Sequence, residues 1–360
     1  MEIYFPGLGI DKFTLNPIAI PFGENDGIRW YALCIVAGMI LAITYCMLRA
    51  KSEGIVPDTM LDFAIFTIPV GIIGTRLYYV FFDWLDAVVN KQPNPYQSFT
   101  DVIAIWNGGL AIYGGIIFGA ITIIVVAKVK KMSGRQLLKI TDSVAPGVMI
   151  AQAMGRWGNF FNGEAYGTPT ALPWRMCSDK FATTLSNKGL ISEEVKDAML
   201  DGTLGVHPTF LYESLWNVLG FVLINLVYKK KRFDGQIVLM YVAWYGLGRT
   251  FIELLRTDSL TNGGGIRVSS LLGLLSFIVA GSILLCLFIK NKGRKSFGPI
   301  EFAETFATAK AVEESENVAE EAADETEVDS IDTPPENEEN KNQENINNND
   351  CEEKNDGKID

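Results

Sequence analysis

The sequence predicts an all-α polytopic membrane protein of about seven transmembrane helices. Its N-terminus lies outside and its C-terminus in the cytoplasm, with a small extracytoplasmic cap and a disordered acidic tail. Three observations predict this class. Seven apolar stretches, about 29–48, 60–82, 105–127, 141–160, 209–228, 236–255 and 269–289, approach the roughly 20 residues that cross a ~30 Å hydrocarbon core. Basic residues cluster after every odd-numbered stretch: Arg49 and Lys51; Lys128, Lys130, Lys131, Arg135 and Lys139; Lys229 to Arg232; Lys290, Lys292, Arg294 and Lys295. By the positive-inside rule those four loops are cytoplasmic. The acidity, finally, is local. The chain carries −11, residues 301–360 carry −17, and residues 1–300 are therefore +6.

Residues 1–28 form the extracytoplasmic N-terminal segment. Pro6, Gly7, Pro17, Pro21, Gly23 and Gly27 break regular structure there, and Phe5, Phe13 and Phe22 suit the membrane interface. Residues 29–290 are the membrane domain. Arg76 falls in the outer half of the second stretch, where it either snorkels outward or faces a site. The third stretch carries Trp106-Asn107-Gly108-Gly109 and Tyr113-Gly114-Gly115; glycine pairs in a span mark close helix packing. The fourth opens with Thr141, Asp142 and Ser143, which read as an N-cap.

Residues 168–207 are the extracytoplasmic cap, with an amphipathic stretch near 192–201. His207, the one histidine, reads first as a structural hydrogen-bonder, although it titrates near neutral pH. Glu213 lies a turn inside the outer boundary and shares a helical face with Trp216, Asn217 and Gly220. Residues 291–360 are the cytoplasmic tail. It is too polar to offset chain entropy by burial and is expected to be disordered.

Five cysteines and a single histidine offer no disulfide framework and no metal-ligand spacing. No metal and no cofactor are expected, and nucleic acid is not an expected partner.

The chemistry concentrates in Gly155-Arg156-Trp157-Gly158-Asn159-Phe160-Phe161-Asn162-Gly163-Glu164-Ala165-Tyr166-Gly167, where the fourth stretch leaves the membrane. A glycine-rich helix end with aromatic anchors explains the glycines and aromatics but not the crowding of Arg156, Asn159, Asn162 and Glu164. In the sixth stretch Tyr245, Arg249, Glu253 and Arg256 repeat at i, i+4, i+8 and i+11 as one stripe. An internal ladder, with Glu253 neutralising Arg249 and Arg256, accounts for part of that stripe and still leaves net positive charge. Topology brings Arg76, Tyr113, Arg156, Asn159, Glu164, Glu213, Arg249, Glu253 and Arg256 to one depth, in the outer half. Converging guanidinium groups and asparagine donors make an anion site, and the anion at that depth is a phospholipid headgroup.

The motif Gly-Arg-x-Gly-Asn-Phe-x-Asn-Gly-Glu-x-x-Gly resembles the signature of the prolipoprotein diacylglyceryl transferase family, and the resemblance spans most of residues 25–290. His207-Pro208-x-x-Leu211-Tyr212-Glu213, Tyr245-Gly246-x-x-Arg249-x-x-x-Glu253-x-x-Arg256 and the two Gly-Gly motifs are similar to further family motifs. The resemblance implies a multi-pass enzyme of the bacterial cytoplasmic (plasma) membrane. Its partners would be phosphatidylglycerol, prolipoprotein signal peptides and the lipid bilayer. It would move a diacylglyceryl group to the lipobox cysteine thiol, forming a thioether and releasing glycerol phosphate.

On that reading Arg156 and Arg249 grip phosphate and leaving group, Asn159 donates to phosphate or glycerol oxygens, and Glu164, Glu213 and Glu253 orient the arginines. Tyr113 and Tyr245 join the catalytic set. Arg76, Asn162, Arg256 and His207 join the substrate-binding set. Many family members have histidine where this chain has Tyr113, and a neutral tyrosine, pKa ~10, is a poor base near pH 7.

A transporter or channel for an anionic solute or lipid is the competing reading, because membrane charges also line pathways. The sequence shows no internal repeat, the span count is odd, and polar groups avoid the cytoplasmic half, which disfavours it.

Overall fold

The computed structural model describes residues 1–23, 27–105, 108–257 and 267–298. Residues 299–360 of the predicted disordered tail, Trp106, Asn107 and most of the loop before the seventh stretch lie outside the described residues, whereas residues 291–298, predicted as part of that tail, are described. The long helices are α1 (Trp30–Ser52), α2 (Pro57–Val89), α4 (Ile112–Val129), α5 (Gly134–Asn162), α8 (Thr209–Tyr228), α9 (Gln236–Leu255) and α10 (Val268–Lys290). Six of these are long and apolar enough to cross a membrane. α5 is the exception, because Arg135, Lys139, Asp142 and Arg156 dilute its apolar run. Ile65, Phe66, Ile116, Ile121, Leu271, Leu275 and Leu285 point outward, the arrangement expected where lipid replaces water as solvent.

The pairs α1–α5, α2–α4, α5–α8 and α9–α10 pack most closely, with α8–α9 and α5–α9 completing the centre. Glycines set the tightest approaches. Gly114 of α4 lies against the Gly74 carbonyl of α2, and Gly246 and Gly273 bring α9 and α10 together; a Cβ at any of these would collide with backbone. Between α8 and α9 the indoles of Trp216 and Trp244 stack with ring centroids 4.3 Å apart. Each donates its Nε1–H to the other's main-chain carbonyl, at 3.0 and 2.9 Å. Gly220 and Gly248 leave room for the rings, since a Cβ on either would run into the opposite indole.

The fourth predicted stretch begins earlier than its apolar run. α5 starts at Gly134, behind a capping box in which Ser133 Oγ accepts from Gln136 N and the Gln136 side chain accepts from Ser133 N. Asp142 therefore does not cap its own helix. It is mid-helix and buried, and its carboxylate accepts from the N–H groups of Gly235, Ile237 and Val238 at 2.9–3.0 Å. It caps α9 instead, where the first-turn donors lack partners of their own.

The same carboxylate belongs to a buried ionic cluster at the inner helix ends. Lys231 Nζ reaches Glu53 at 2.7 Å, Asp142 at 3.1 Å and Asp234 at 3.7 Å, and Lys139 approaches Glu53 at 3.6 Å. Burial alone would push the Lys231 ammonium down; the carboxylates of Asp142 and Glu53 overcome that and hold it above its ordinary value. The segment after α10 is tied to this cluster. Ser296 Oγ donates to Asp234 at 2.5 Å, and Lys139 donates to the Gly298 carbonyl at 2.8 Å.

The N-terminal segment is more regular than its Pro and Gly content predicts. β1 (Glu2–Phe5) pairs with β2 (Ile10–Thr14), and β3 (Ile18–Pro21) with β4 (Gly27–Arg29), both antiparallel. It is also not separate from the cap. Ile3, fully buried, shares a core with Phe160, Tyr166, Met176, Phe181, Leu185, Met199, Val206 and Phe210. Tyr4 and Cys177 exchange both main-chain hydrogen bonds. The cap's own helices are α6 (Asp179–Asn187) and α7 (Glu193–Leu200), the latter where the amphipathic stretch predicts it.

Candidate active site

The site forms where the outer ends of α5, α8 and α9 meet. α5 ends in Gly163, left-handed at φ 61°, which stops the helix one turn after Asn159 and frees the chain to turn across the neighbouring ends. The turn is sewn down on both sides. Gly167 N donates to the His207 carbonyl at 2.9 Å and His207 N to the Thr168 carbonyl at 3.1 Å, which ties it to the start of α8. Thr168 N donates to the Leu255 carbonyl at 2.7 Å, and Gly167 bridges Arg256, which ties it to the end of α9. The Thr209 hydroxyl donates to the Ala165 carbonyl and the Thr257 hydroxyl to the Tyr166 carbonyl. Gly167 has no room for a side chain, because a Cβ would meet His207 and Leu255.

This ladder carries three guanidinium groups to one carboxylate. Glu213, almost wholly buried, takes Arg156 Nη2 at 2.7 Å, Arg249 Nη1 at 3.4 Å and Arg256 Nη1 at 3.5 Å. Glu253 takes Arg249 Nη2 at 2.6 Å, as the helical stripe predicts. The arginine side chains remain 21%, 17% and 11% exposed, whereas both glutamates are closed off. Three arginines, Arg156, Arg249 and Arg256, thus share two buried carboxylates, Glu213 and Glu253. The two carboxylates are what keep these guanidiniums side by side against their mutual repulsion.

Asn159 links this group to Glu164. Arg156 Nη1 donates to Asn159 Oδ1 at 3.2 Å, and Asn159 Nδ2 donates onward to Glu164 Oε1 at 2.9 Å. Asn162 Nδ2 reaches the same oxygen at 3.2 Å. Both asparagine amides are thus aimed at Glu164, a relay that spacing alone did not reveal. Tyr245 stacks on Tyr241 at 6.0 Å, two turns inward from Glu253 on α9.

His207 sits at the cap edge, its Nδ1 3.2 Å from the Tyr212 hydroxyl, which also accepts from Trp174 Nε1 at 2.6 Å. Burial pushes the His207 imidazole below its ordinary value, toward the neutral form.

Tyr113 and Arg76 are on the α2–α4 pair. The Tyr113 ring lies 6.3 Å from that of Tyr78, and the Arg76 guanidinium is spent on main-chain carbonyls of the loop between the two helices. Arg267 is a residue the sequence reading missed. It ends the low-charge loop before α10 and donates to the Glu253 carbonyl, which adds a fourth guanidinium beside the α9 end. Its signal was only a lone positive charge at a span boundary.

The comparisons with known proteins converge on one family. The model of the prolipoprotein diacylglyceryl transferase family matches residues 17–287. The chain belongs to the prolipoprotein diacylglyceryl transferase family. It is 43% identical over 286 residues to the phosphatidylglycerol–prolipoprotein diacylglyceryl transferase of Streptococcus agalactiae, covering 79% of this chain and 99% of that one. It is 42% identical over 289 residues to the protein of the same description in Streptococcus pneumoniae, covering 79% and 97%. For the Streptococcus uberis protein the identity is 39% over 282 residues, covering 78% and 97%. The family match runs from Pro17 into α10 and stops before the acidic tail. It includes every arginine and glutamate of the outer cluster.

Proposed function

We propose that this chain transfers the diacylglyceryl group of phosphatidylglycerol to the thiol of a prolipoprotein lipobox cysteine, at the outer face of a bacterial cytoplasmic membrane. The observation that carries the reading is the gathering of Arg156, Arg249 and Arg256 around the single carboxylate of Glu213. In the reaction the substrate's sulfur attacks a glycerol carbon, the carbon–oxygen bond to phosphate breaks, and glycerol phosphate departs with the electron pair. The thiol proton leaves to solvent or to the departing phosphate.

Two things must be stabilised, a thiolate and the growing charge on the leaving phosphate. Fixed guanidiniums serve both. They lower a cysteine pKa from ~8.5, and they act as preorganised partners for a developing oxyanion. Arg156 and Arg249 are the phosphate ligands in this scheme, with Arg256 beside them. Glu213 and Glu253 hold them in register, and Asn159, Asn162 and Glu164 fix the rotamer of Arg156. Tyr245 and His207 border the space the substrate occupies. The nucleophile comes with the substrate, so no cysteine of this chain takes part.

The anionic-solute transporter reading gains nothing from the geometry. The polar groups at the inner helix ends are locked into a fully buried cluster rather than lining a path. The test is purified protein in phosphatidylglycerol vesicles with a lipobox peptide, followed by mass spectrometry. A peptide heavier by one diacylglyceryl group is expected. An unmodified peptide, with the protein folded and inserted, overturns the proposal.

A further inference from the structure

Arg76 lies in the outer half of α2 and is buried, yet the ion pairs described for it include no carboxylate. Four of its five N–H groups go to carbonyls of the following loop. Nη2 donates to Asp101 at 2.6 Å and Nε to Val102 at 2.8 Å, while Nη1 donates to Gly108 at 2.8 Å and Gly109 at 3.0 Å. The first two are end carbonyls of the short helix α3 (Phe99–Ile103), which have no partner within their own helix. Gly108 and Gly109 adopt φ 84° and 67°, the left-handed region that turns both carbonyls toward the same guanidinium. The rings of Tyr79 and Tyr96 flank the guanidinium with centroids 5.8 and 6.0 Å away. Two residues after Gly109, Ala111 N donates to the Thr75 carbonyl at 3.0 Å, and Gly114 settles against Gly74 and Tyr78. Tyr113 lies between those two fixed points.

We propose that Arg76 is a positioning residue for the transfer reaction. It gathers the carbonyls of Asp101, Val102, Gly108 and Gly109 around its guanidinium and thereby seats Tyr113 at the outer end of α4, and it does not bind the lipid phosphate. A planar guanidinium spans four carbonyls at once; a lysine ammonium, a point charge with three donors, does not. This inference rests on the transferase reading above, and the assay separates the two: wild-type protein that modifies no peptide defeats that reading, whereas the variants bear on this one.

The experiment is steady-state transfer by Arg76→Lys and Arg76→Gln, alone and with Tyr113→Phe, with phosphatidylglycerol varied as a surface fraction in vesicles. The expected result is a kcat lowered by about tenfold or more in both variants, because small misplacements carry costs of that order. KM for the lipid stays within about twofold, Lys does no better than Gln, and the loss shrinks in the Tyr113→Phe background. Gly109→Ala is the second route to the same defect, since its Cβ would stand 2.5 Å from Arg76 Nη1. It decides the matter by the same criteria if the Arg76 variants fail to insert. A raised KM with Lys preserving activity makes Arg76 a lipid ligand and overturns the proposal. So does wild-type kcat, or an undiminished Arg76 effect in the Tyr113→Phe background.

Discussion

The molecule holds two ionic clusters at opposite ends of the same helices, and they are built to different rules. At the inner ends Lys231 is fully buried among Glu53, Asp142 and Asp234, and Arg135 closes the set from the surface at 2.8 Å from Asp234. Asp142 is saturated further by three main-chain N–H groups of α9. At the outer ends three arginines crowd around Glu213, two of them at 3.4–3.5 Å, and keep part of their surface open. A buried pair stabilises only when its partners are complete and well aligned. In the inner cluster Asp142 meets that condition, while the buried Glu53 carboxylate is held by ion pairs alone; in the outer one the arginines stay partly exposed. A strut uses up its charges internally; on the proposed function the outer group is the one that meets a ligand.

That contrast can be broken most directly at Arg249. Arg249→Ala is expected to take lipid transfer below detection while the protein still inserts, measured by mass spectrometry of the peptide and by recovery of folded protein from membranes. Retained transfer would reduce the outer cluster to another strut. The next largest effect belongs to the inner cluster. Lys231→Met strands Glu53 and Asp142 without their shared cation and should cost about 3–5 kcal/mol of stability, read from thermal unfolding in detergent. A variant unfolding at the wild-type temperature would mean that the cluster is not a strut.

Glu213→Gln sharpens the outer half of the comparison. It keeps the shape of the side chain but removes the charge that holds three guanidiniums in register. A loss of about a hundredfold in kcat, equivalent to roughly 2.7 kcal/mol of barrier, is expected with folding preserved. The smallest effect is at His207. Burial sets its folded pKa below the unfolded value, near 6.5, so well above that value both states are neutral and the group contributes nothing. Below about pH 6.5 the unfolded chain takes up a proton that the folded cap resists, so stability falls until the folded group also titrates. His207→Asn should flatten that part of a melting-temperature profile.

Most of the outer cluster was legible in the sequence because membrane depth is a one-dimensional property: counting residues from a span boundary places Arg156, Glu213, Arg249, Glu253 and Arg256 together. What depth does not give is azimuth. Arg76 shares that depth but turns toward its own loop, and only the left-handed glycines 108 and 109 explain why. Asp142 was readable as a cap from its chemistry, yet the helix it caps begins 94 residues later, at Gln236, a pairing that only packing determines. The early start of α5 was legible in Ser133-x-x-Gln136, but the basic residues around it read as loop. The N-terminal hairpins escaped because strands of three to five residues, broken by Pro and Gly, give no sustained alternation.

The paired indoles of α8 and α9 carry one more implication. Two reciprocal N–H to carbonyl links, braced by glycines that fit nothing larger, let those helices engage in a single alignment; slipping by one residue loses both links together. The arginine–glutamate cluster one turn above them is therefore rigid in the way a vice jaw is rigid. The α2–α4 pair packs chiefly on itself, so within the described bundle it is the part that this locked seam leaves freest to shift.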